Sequence, residues 1–354
     1  MRIRNKFLSV PLIQGGMGVG VSLGGLAGAV AAQGAMGTIS TADIGFREPD
    51  FSSRPELANL RALTKEIQKA KEVSGGRGLV AVNAMVATRQ YGDAVKTAVS
   101  AGADAVVCGA GLPLDLPELV AGSSAALAPV VSGGRAAGLV CKTWARRYQT
   151  VPDFVVLEGP LAGGHLGFSY EVLEKEPLPS LDALLAEVLS VLRPYEQAFG
   201  RSIPVFVAGG VADGKDMARY IKLGAAGVQV ATPFIATKEC DASQAYKDIL
   251  IHAGPQDLRI VRSPVGMPSR ALYTPLIRRL EAGVPMPVTH CYGCIKPCNP
   301  AKTPFCITKA LIAAVEGNEQ EGLFFSSGRI DLLNKMSTAA DLIHMFTKDW
   351  SHSL

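Results

Sequence analysis

The sequence lacks any uninterrupted apolar run of the length a membrane helix needs, about 20 residues. Residues 7–41 carry no charge, but Pro11, Gln14, Ser22, Gln33 and many glycines break the stretch. A buried strand, a glycine loop and an Ala/Gly-rich helix account for it better than a membrane span. No signal-peptide pattern follows Met1-Arg2-Ile3-Arg4, so a cytoplasmic protein is expected. Aromatic residues are few, at 6%, and no basic block interleaves with them. The net charge of +4 is scattered over both signs, which leaves nucleic-acid binding without support. There is no G-x-x-x-x-G-K-S/T loop. Gly15-Gly16-Met17-Gly18-Val19-Gly20 is only a loose glycine repeat without the dinucleotide fingerprint. No solenoid-type repeat occurs. Histidine is scarce, with five in the chain.

What is present is Ala, Val, Leu and Gly in quantity, the usual palette of parallel α/β proteins whose strands are buried on both faces. Short apolar runs fall at 10–14, 36–40, 79–83, 105–108, 128–132, 154–157, 205–208 and 227–231. Helical stretches follow them at 23–32, 56–73, 91–101, 117–121, 135–148, 181–198, 214–223 and 245–253. Eight such units in about 250 residues predict a (β/α)8 TIM barrel over residues 1–285, with a doubly wound open sheet as the alternative. Residues 286–354 read as a Cys-rich segment and helices, at 310–316 and 332–346 around a loop at 322–325. These pack on the barrel, cover its mouth or form a homodimer contact.

A barrel places its site at the C-terminal ends of the strands. There the chain carries Gln14 to Gly18, Thr41, Asn83, Gly109 to Gly111, Ser132, Glu158 to His165, Gly209-Gly210 and Thr232. Glu158-Gly159-Pro160-Leu161-Ala162-Gly163-Gly164-His165 has the character of a catalytic floor. Glycines allow close approach and positive φ, and histidine moves protons near neutral pH. Gly209, Gly210 and Thr232 are candidates for a phosphate held by backbone N–H groups and a helix N-terminus.

Seven cysteines divide into three isolated ones (Cys108, Cys141, Cys240), read as buried thiols, and four crowded together. Cys291, Cys294, Cys298 and Cys306 have the spacing C-x2-C-x3-C-x7-C, amid three lysines and no acid. The favoured reading is a 4Fe–4S cluster; zinc and free or disulfide-forming thiols are the alternatives.

The chain resembles the nitronate monooxygenase family and the related FMN-dependent enoyl-acyl-carrier-protein reductases. The resemblance rests on Pro11 to Gly18, Val82-Asn83, Glu158 to Gly167, Ala208 to Val211, Gly227 to Thr232 and Ser263 to Pro268. It implies an FMN-bearing barrel. Gly15, Gly16 and Met17 would lie along the flavin, Asn83 at its polar edge, and Gly209, Gly210 and Thr232 at its phosphate. Gly163, Gly164, Gln229 and Ala231 would be further cofactor contacts, while Glu158 either contacts the cofactor or braces the loop. His165 would face a small-molecule or thioester substrate and serve as its proton donor. The favoured reaction is reduction of an activated C=C bond, of the 2-enoyl thioester type, with NAD(P)H or ferredoxin as electron donor; oxidation of alkyl nitronates with O2 is the alternative. An oxygen-labile cluster would favour reduction. A non-redox phosphate-binding barrel or a metal-stapled binding protein is the reading of another class.

Overall fold

A computed structural model describes residues 1–284 and 286–350; the expected domain boundary at 285 and the last residues, 351–354, lie outside them. Eight parallel strands close on themselves: β1 (Leu12–Gln14), β2 (Met36–Ser40), β3 (Leu79–Met85), β4 (Ala105–Gly109), β5 (Ala126–Val131), β6 (Val155–Glu158), β7 (Val205–Ala208) and β8 (Gly227–Val230). β8 pairs with β1, so the open-sheet alternative is replaced by a closed (β/α)8 barrel. All eight expected runs become these strands, because each is apolar on both faces and bounded by a turn.

The barrel interior holds Ile13, Met36, Val107, Ala128, Val156 and Phe206, with Phe154 set edge-on to Phe206 at 5.7 Å. Its N-terminal end is plugged by the hairpin of Arg2–Ile3 and Lys6–Phe7, which sends Ile3 and Leu8 into the same core. Lys6 fixes that hairpin to Asp104 at 3.0 Å. Access is therefore left to the C-terminal end.

Helices α1 (Gly24–Ala32), α2 (Pro55–Ser74), α3 (Tyr91–Ser100), α4 (Leu116–Leu119), α5 (Gly134–Tyr148), α6 (Leu181–Phe199), α7 (Gly214–Lys222) and α8 (Gln244–His252) form the outer layer. α1 lies so close to β2 that a Cβ on Gly37 would sit 1.9 Å from the Ala27 carbonyl oxygen, which explains the glycine in mid-strand. Among the described residues no helix is long and apolar enough to cross a membrane.

The chain beyond β8 rebuilds the mouth. Strands Leu258–Arg262 and Pro268–Leu272 pair antiparallel, and the second pairs with Gly164–His165, setting Ser269 opposite His165 and Arg270 opposite Gly164. Helix α9 (Pro275–Glu281), the cysteine segment and helix α10 (Ile307–Val315) follow. Phe325 then bridges to Ala271. The last helix, α11, covers only Ala339–Thr347. It starts later than position 332 because Thr338 caps it, accepting from the Asp341 amide, while Ser337 bonds the Ala236 carbonyl. Val315, Phe324, Ile330, Ile343 and Phe346 share one core with α1, α6 and α7, so the tail packs as part of the barrel's outer layer.

Candidate active site

The C-terminal strand ends enclose a cavity of about 260 Å³. Gly15, Gly16, Met17, Asn83, Glu158, Gly163, Gly164, His165, Gly209, Gly210, Gln229, Ala231 and Thr232 all line it. Strand register brings them together: Ala208 pairs with Glu158 on one side and Gln229 on the other, so the ends of β6, β7 and β8 reach one level. On the opposite wall Ser40 pairs with Asn83.

Several glycines are demanded by the protein's own backbone. A Cβ on Gly16 would lie 2.5 Å from that of Asn83, and one on Gly163 would lie 2.5 Å from the Ser326 carbonyl carbon. The turn after β7 has Gly209 at φ 85° and Gly210 at φ 103°. Among the described residues the N–H groups of Gly163, Gly209 and Gly210 find no protein acceptor, which leaves three donors at the cavity's edge. The helix N-terminus expected to share a phosphate is not free in this way. Asp213 caps α7 by accepting from Lys215 and Asp216 N–H, and a Cβ on Gly214 would lie 2.7 Å from the Phe346 carbonyl oxygen. The free donors are those of the turn itself.

His165 sits between Ser263 and Phe325. Its Nε2 lies 2.7 Å from Ser263 Oγ, and its ring meets Phe325 edge-on at 5.3 Å. Ser263 Oγ also accepts from the Val265 amide at 3.2 Å. Burial drives the imidazole down to about 4, so it is neutral at physiological pH. Among the described residues no Lys or Arg lines the cavity.

Glu158 has no partner to hold its charge, and burial alone pushes its carboxyl up to about 8. It is therefore mostly a neutral acid near pH 7, able to donate a hydrogen bond. In the unfolded chain it ionises near the ordinary value of 4.5. Between those two values the folded state holds more protons, so stability contributed by this site falls as pH rises. Glu158→Gln, which cannot ionise, is expected to melt progressively higher than the unaltered protein as pH increases from about 5 to about 8. Thermal melts across that range would show the two curves diverging; parallel curves would refute the assignment.

The structure also brings in residues that sequence reasoning missed. Ser263 was matched only as part of a segment, with no role. Phe325, Ser326 and Ser327 come from the tail, and Ser327 N–H donates to Thr232 Oγ1 at 3.0 Å. Asp43, at φ 41°, lines the far wall and accepts from Thr308 Oγ1 at 2.6 Å. Burial raises its carboxyl while Thr308 and Asn59 hold it back. The positive φ of a non-glycine residue at a cavity wall is the kind of strain found at functional sites, although no sequence pattern marks it.

The metal role expected for Cys291, Cys294, Cys298 and Cys306 finds no support in the structure. Among the described residues no group of three or more His, Cys, Asp or Glu is placed to hold a metal. The reason is what the segment packs against. Ile295 bridges to Thr88, Arg89 N–H donates to the Cys294 carbonyl at 3.1 Å, and Lys296 N–H donates to the Ala87 carbonyl at 2.8 Å. Lys296 Nζ reaches the Val86 carbonyl at 2.9 Å. The segment is a strip of cavity wall: Cys294 lines the cavity, Cys298 packs in an apolar cluster, Cys306 begins α10 and Cys291 is exposed. Burial pushes the Cys294 thiol up to about 11.

Comparison with known proteins fits this architecture. The fold matches FabK from Thermotoga maritima at TM-score 0.72 and 23% identity, covering 98% of this chain and 94% of that one. It matches the nitroalkane oxidase from Streptomyces ansochromogenes at TM-score 0.71 and 19% identity, covering 98% and 97%. Curated relatives called probable nitronate monooxygenases, from Staphylococcus saprophyticus and Staphylococcus aureus, are 31% identical over 130 residues and 30% identical over 129. Each of those matches spans 36% of this chain and only 34% of the relative. The model of the nitronate monooxygenase family matches residues 2–349, nearly the whole chain, so the protein belongs to that family of oxidoreductases.

Proposed function

We propose that the protein is an FMN-dependent oxidoreductase that oxidises alkyl nitronates, with His165 facing the substrate. The observation that carries this reading is the neutral, half-buried His165 on the wall of a cavity whose lining also holds unpaired backbone donors. The residues present suit FMN. Gly163, Gly209 and Gly210 offer free N–H groups for a phosphate, and the orphaned carboxyl of Glu158 offers a donor for a polar edge. Thr232, Gln229, Ala231, Asn83, Gly15, Gly16 and Met17 would complete the cradle. When bound, FMN supplies the electron acceptance that no side chain here can provide.

The chain's own part is orientation and proton handling. A neutral imidazole can donate one N–H to an anionic nitronate oxygen, or take the α-proton of the parent nitro compound. Ser263 fixes the ring by its bond to Nε2, and Phe325 fixes its tilt. Val265, Ile295, Leu311 and Phe325 add an apolar strip to the wall, which suits a small or aliphatic substituent.

A second reading, reduction of a 2-enoyl thioester with NAD(P)H or ferredoxin as donor, uses the same neutral histidine as proton source. Its separate support is an oxygen-labile cluster, for which the described residues offer no metal site. The two readings part under anaerobic conditions. An alkyl nitronate is expected to bleach the flavin absorbance, with NAD(P)H leaving it unchanged. Bleaching by NAD(P)H and recovery on adding an enoyl thioester would reverse the choice. Protein that stays colourless after incubation with FMN would overturn both and return the non-redox barrel.

A further inference from the structure

Arg270 is buried, 7% exposed, and pairs with no carboxylate. Desolvation alone acts on it, lowering its pKa. A guanidinium does not give up its proton in a protein, so this is a standing positive charge. One nitrogen, Nη1, donates to two carbonyls of the catalytic turn, Pro160 O at 2.8 Å and Ala162 O at 2.6 Å. In a planar trans peptide the C=O and the following N–H point in opposite directions. Gripping those carbonyls therefore turns the Leu161 and Gly163 N–H groups away from Arg270. Neither has a protein acceptor among the described residues. Gly163 lines the cavity, and a Cβ on Gly209 would fall 3.0 Å from Ala162 N, so this turn abuts the free amides after β7.

A buried ion without a counter-charge is costly, and here two carbonyl dipoles are all the protein offers. The cavity itself has no Lys or Arg in its lining. We propose that Arg270 is the positioning residue of the anion site. It aims the Leu161 and Gly163 amides and supplies, from behind the turn, the positive charge that a phosphate monoester bound at Gly163, Gly209 and Gly210 neutralises. The same two bonds hold the loop that carries His165, since Arg270 stands opposite Gly164 in the strand pair. This rests on the flavin reading, with the phosphate being that of FMN.

Flavin-free protein titrated with FMN and with riboflavin, which lacks the phosphate, tests it. The unaltered protein is expected to bind FMN far more tightly. R270Q is expected to lose about tenfold or more in FMN affinity while riboflavin affinity holds within about twofold, a selective electrostatic loss. Equal losses for both flavins would mean that Arg270 only props up the loop, and unchanged FMN affinity would remove it altogether; either overturns the proposal. If R270Q does not fold, R270K decides. A buried lysine deprotonates readily, so its preference for FMN over riboflavin should decline between about pH 7 and pH 10 while the unaltered protein's stays flat. Flat ratios in both overturn the proposal. If the unaltered protein binds neither flavin, the flavin reading fails by itself. Calorimetry with inorganic phosphate then decides for Arg270: binding that is lost in R270Q sustains the anion site, and no binding to the unaltered protein ends it.

Discussion

His165→Ala is expected to lower turnover of the parent nitroalkane by about two to four orders of magnitude while FMN remains bound, the range typical for removing a group that moves a proton. Three observations set this expectation. The ring lines the cavity, it is held at Nε2 by Ser263 2.7 Å away, and burial keeps it neutral, with its pKa at about 4. The cradle proposed for the cofactor is built from backbone N–H groups and from Glu158, Asn83, Gln229 and Thr232, without the imidazole, so losing it should leave flavin content unchanged. Steady-state rates together with the flavin-to-protein absorbance ratio check both halves. A rate within about twofold of the unaltered enzyme would sink the role.

The same variant carries a stability signature with a definite sign. The unfolded chain protonates His165 near 6.5, whereas the folded chain resists protonation down to about 4. Between those values the unfolded state binds more protons, so stability is lost as pH falls. Removing the imidazole should flatten that acid limb. Glu158 acts in the opposite direction on the alkaline side, with stability lost as pH rises from 4.5 toward 8. Two titratable groups on one cavity wall are thus both held uncharged by burial, one an acid and one a base, a common arrangement where protons are handled.

The barrel was legible in the sequence because parallel strands buried on both faces read as short apolar runs, and each run here ends at a Gly, Asn, Glu or Thr that turns toward the mouth. Once strand order is known, the residues at the C-terminal rim follow from position alone. That is why Gly15, Asn83, Glu158, Gly209 and Thr232 converge on one cavity. The tail's contribution followed no such rule. Phe325, Ser326 and Ser327 reach the site because a strand at Pro268–Leu272 docks on Gly164–His165 and then receives Phe325 at Ala271. Those are contacts between distant segments, and nothing local in a Phe-Phe-Ser-Ser run announces them.

The cysteine segment shows a related limit of local pattern. C-x2-C-x3-C spacing is what a metal site uses, but spacing does not say what the backbone beside it pairs with. Here Ile295 and Lys296 are pinned along residues 86–89, and the strip becomes a wall. Asp213 is a smaller case. The strand–glycine–helix pattern was read as an open helix N-terminus, yet Asp213 is the preferred type of N-cap residue and occupies the amides itself.

Gly209→Ala is expected to lose about 2–4 kcal/mol of stability and to abolish FMN binding. Two costs add there. At φ 85° an alanine sits in a region that L side chains rarely adopt. Its Cβ would also fall 2.7 Å from the Gly159 carbonyl oxygen and 3.0 Å from Ala162 N, both backbone atoms of the catalytic turn. Backbone held by the Gly159–Ala208 ladder bond and by Arg270 has little room to yield, so relief must come by pushing the turn, and with it the free amides, out of line. Two companions separate the costs. Gly210→Ala has φ 103° but meets only the Leu161 side chain, at 3.1 Å, which can rotate. Gly266→Ala has φ 86° and nothing within 4 Å, so it bears conformational strain alone, about 1 kcal/mol. Urea unfolding is expected to order the losses Gly209 > Gly210 > Gly266, with flavin affinity collapsing in the first, weakened in the second and intact in the third. If Gly209→Ala proved no less stable than Gly266→Ala, the contact between the two turns would not be the rigid one on which the anion site depends.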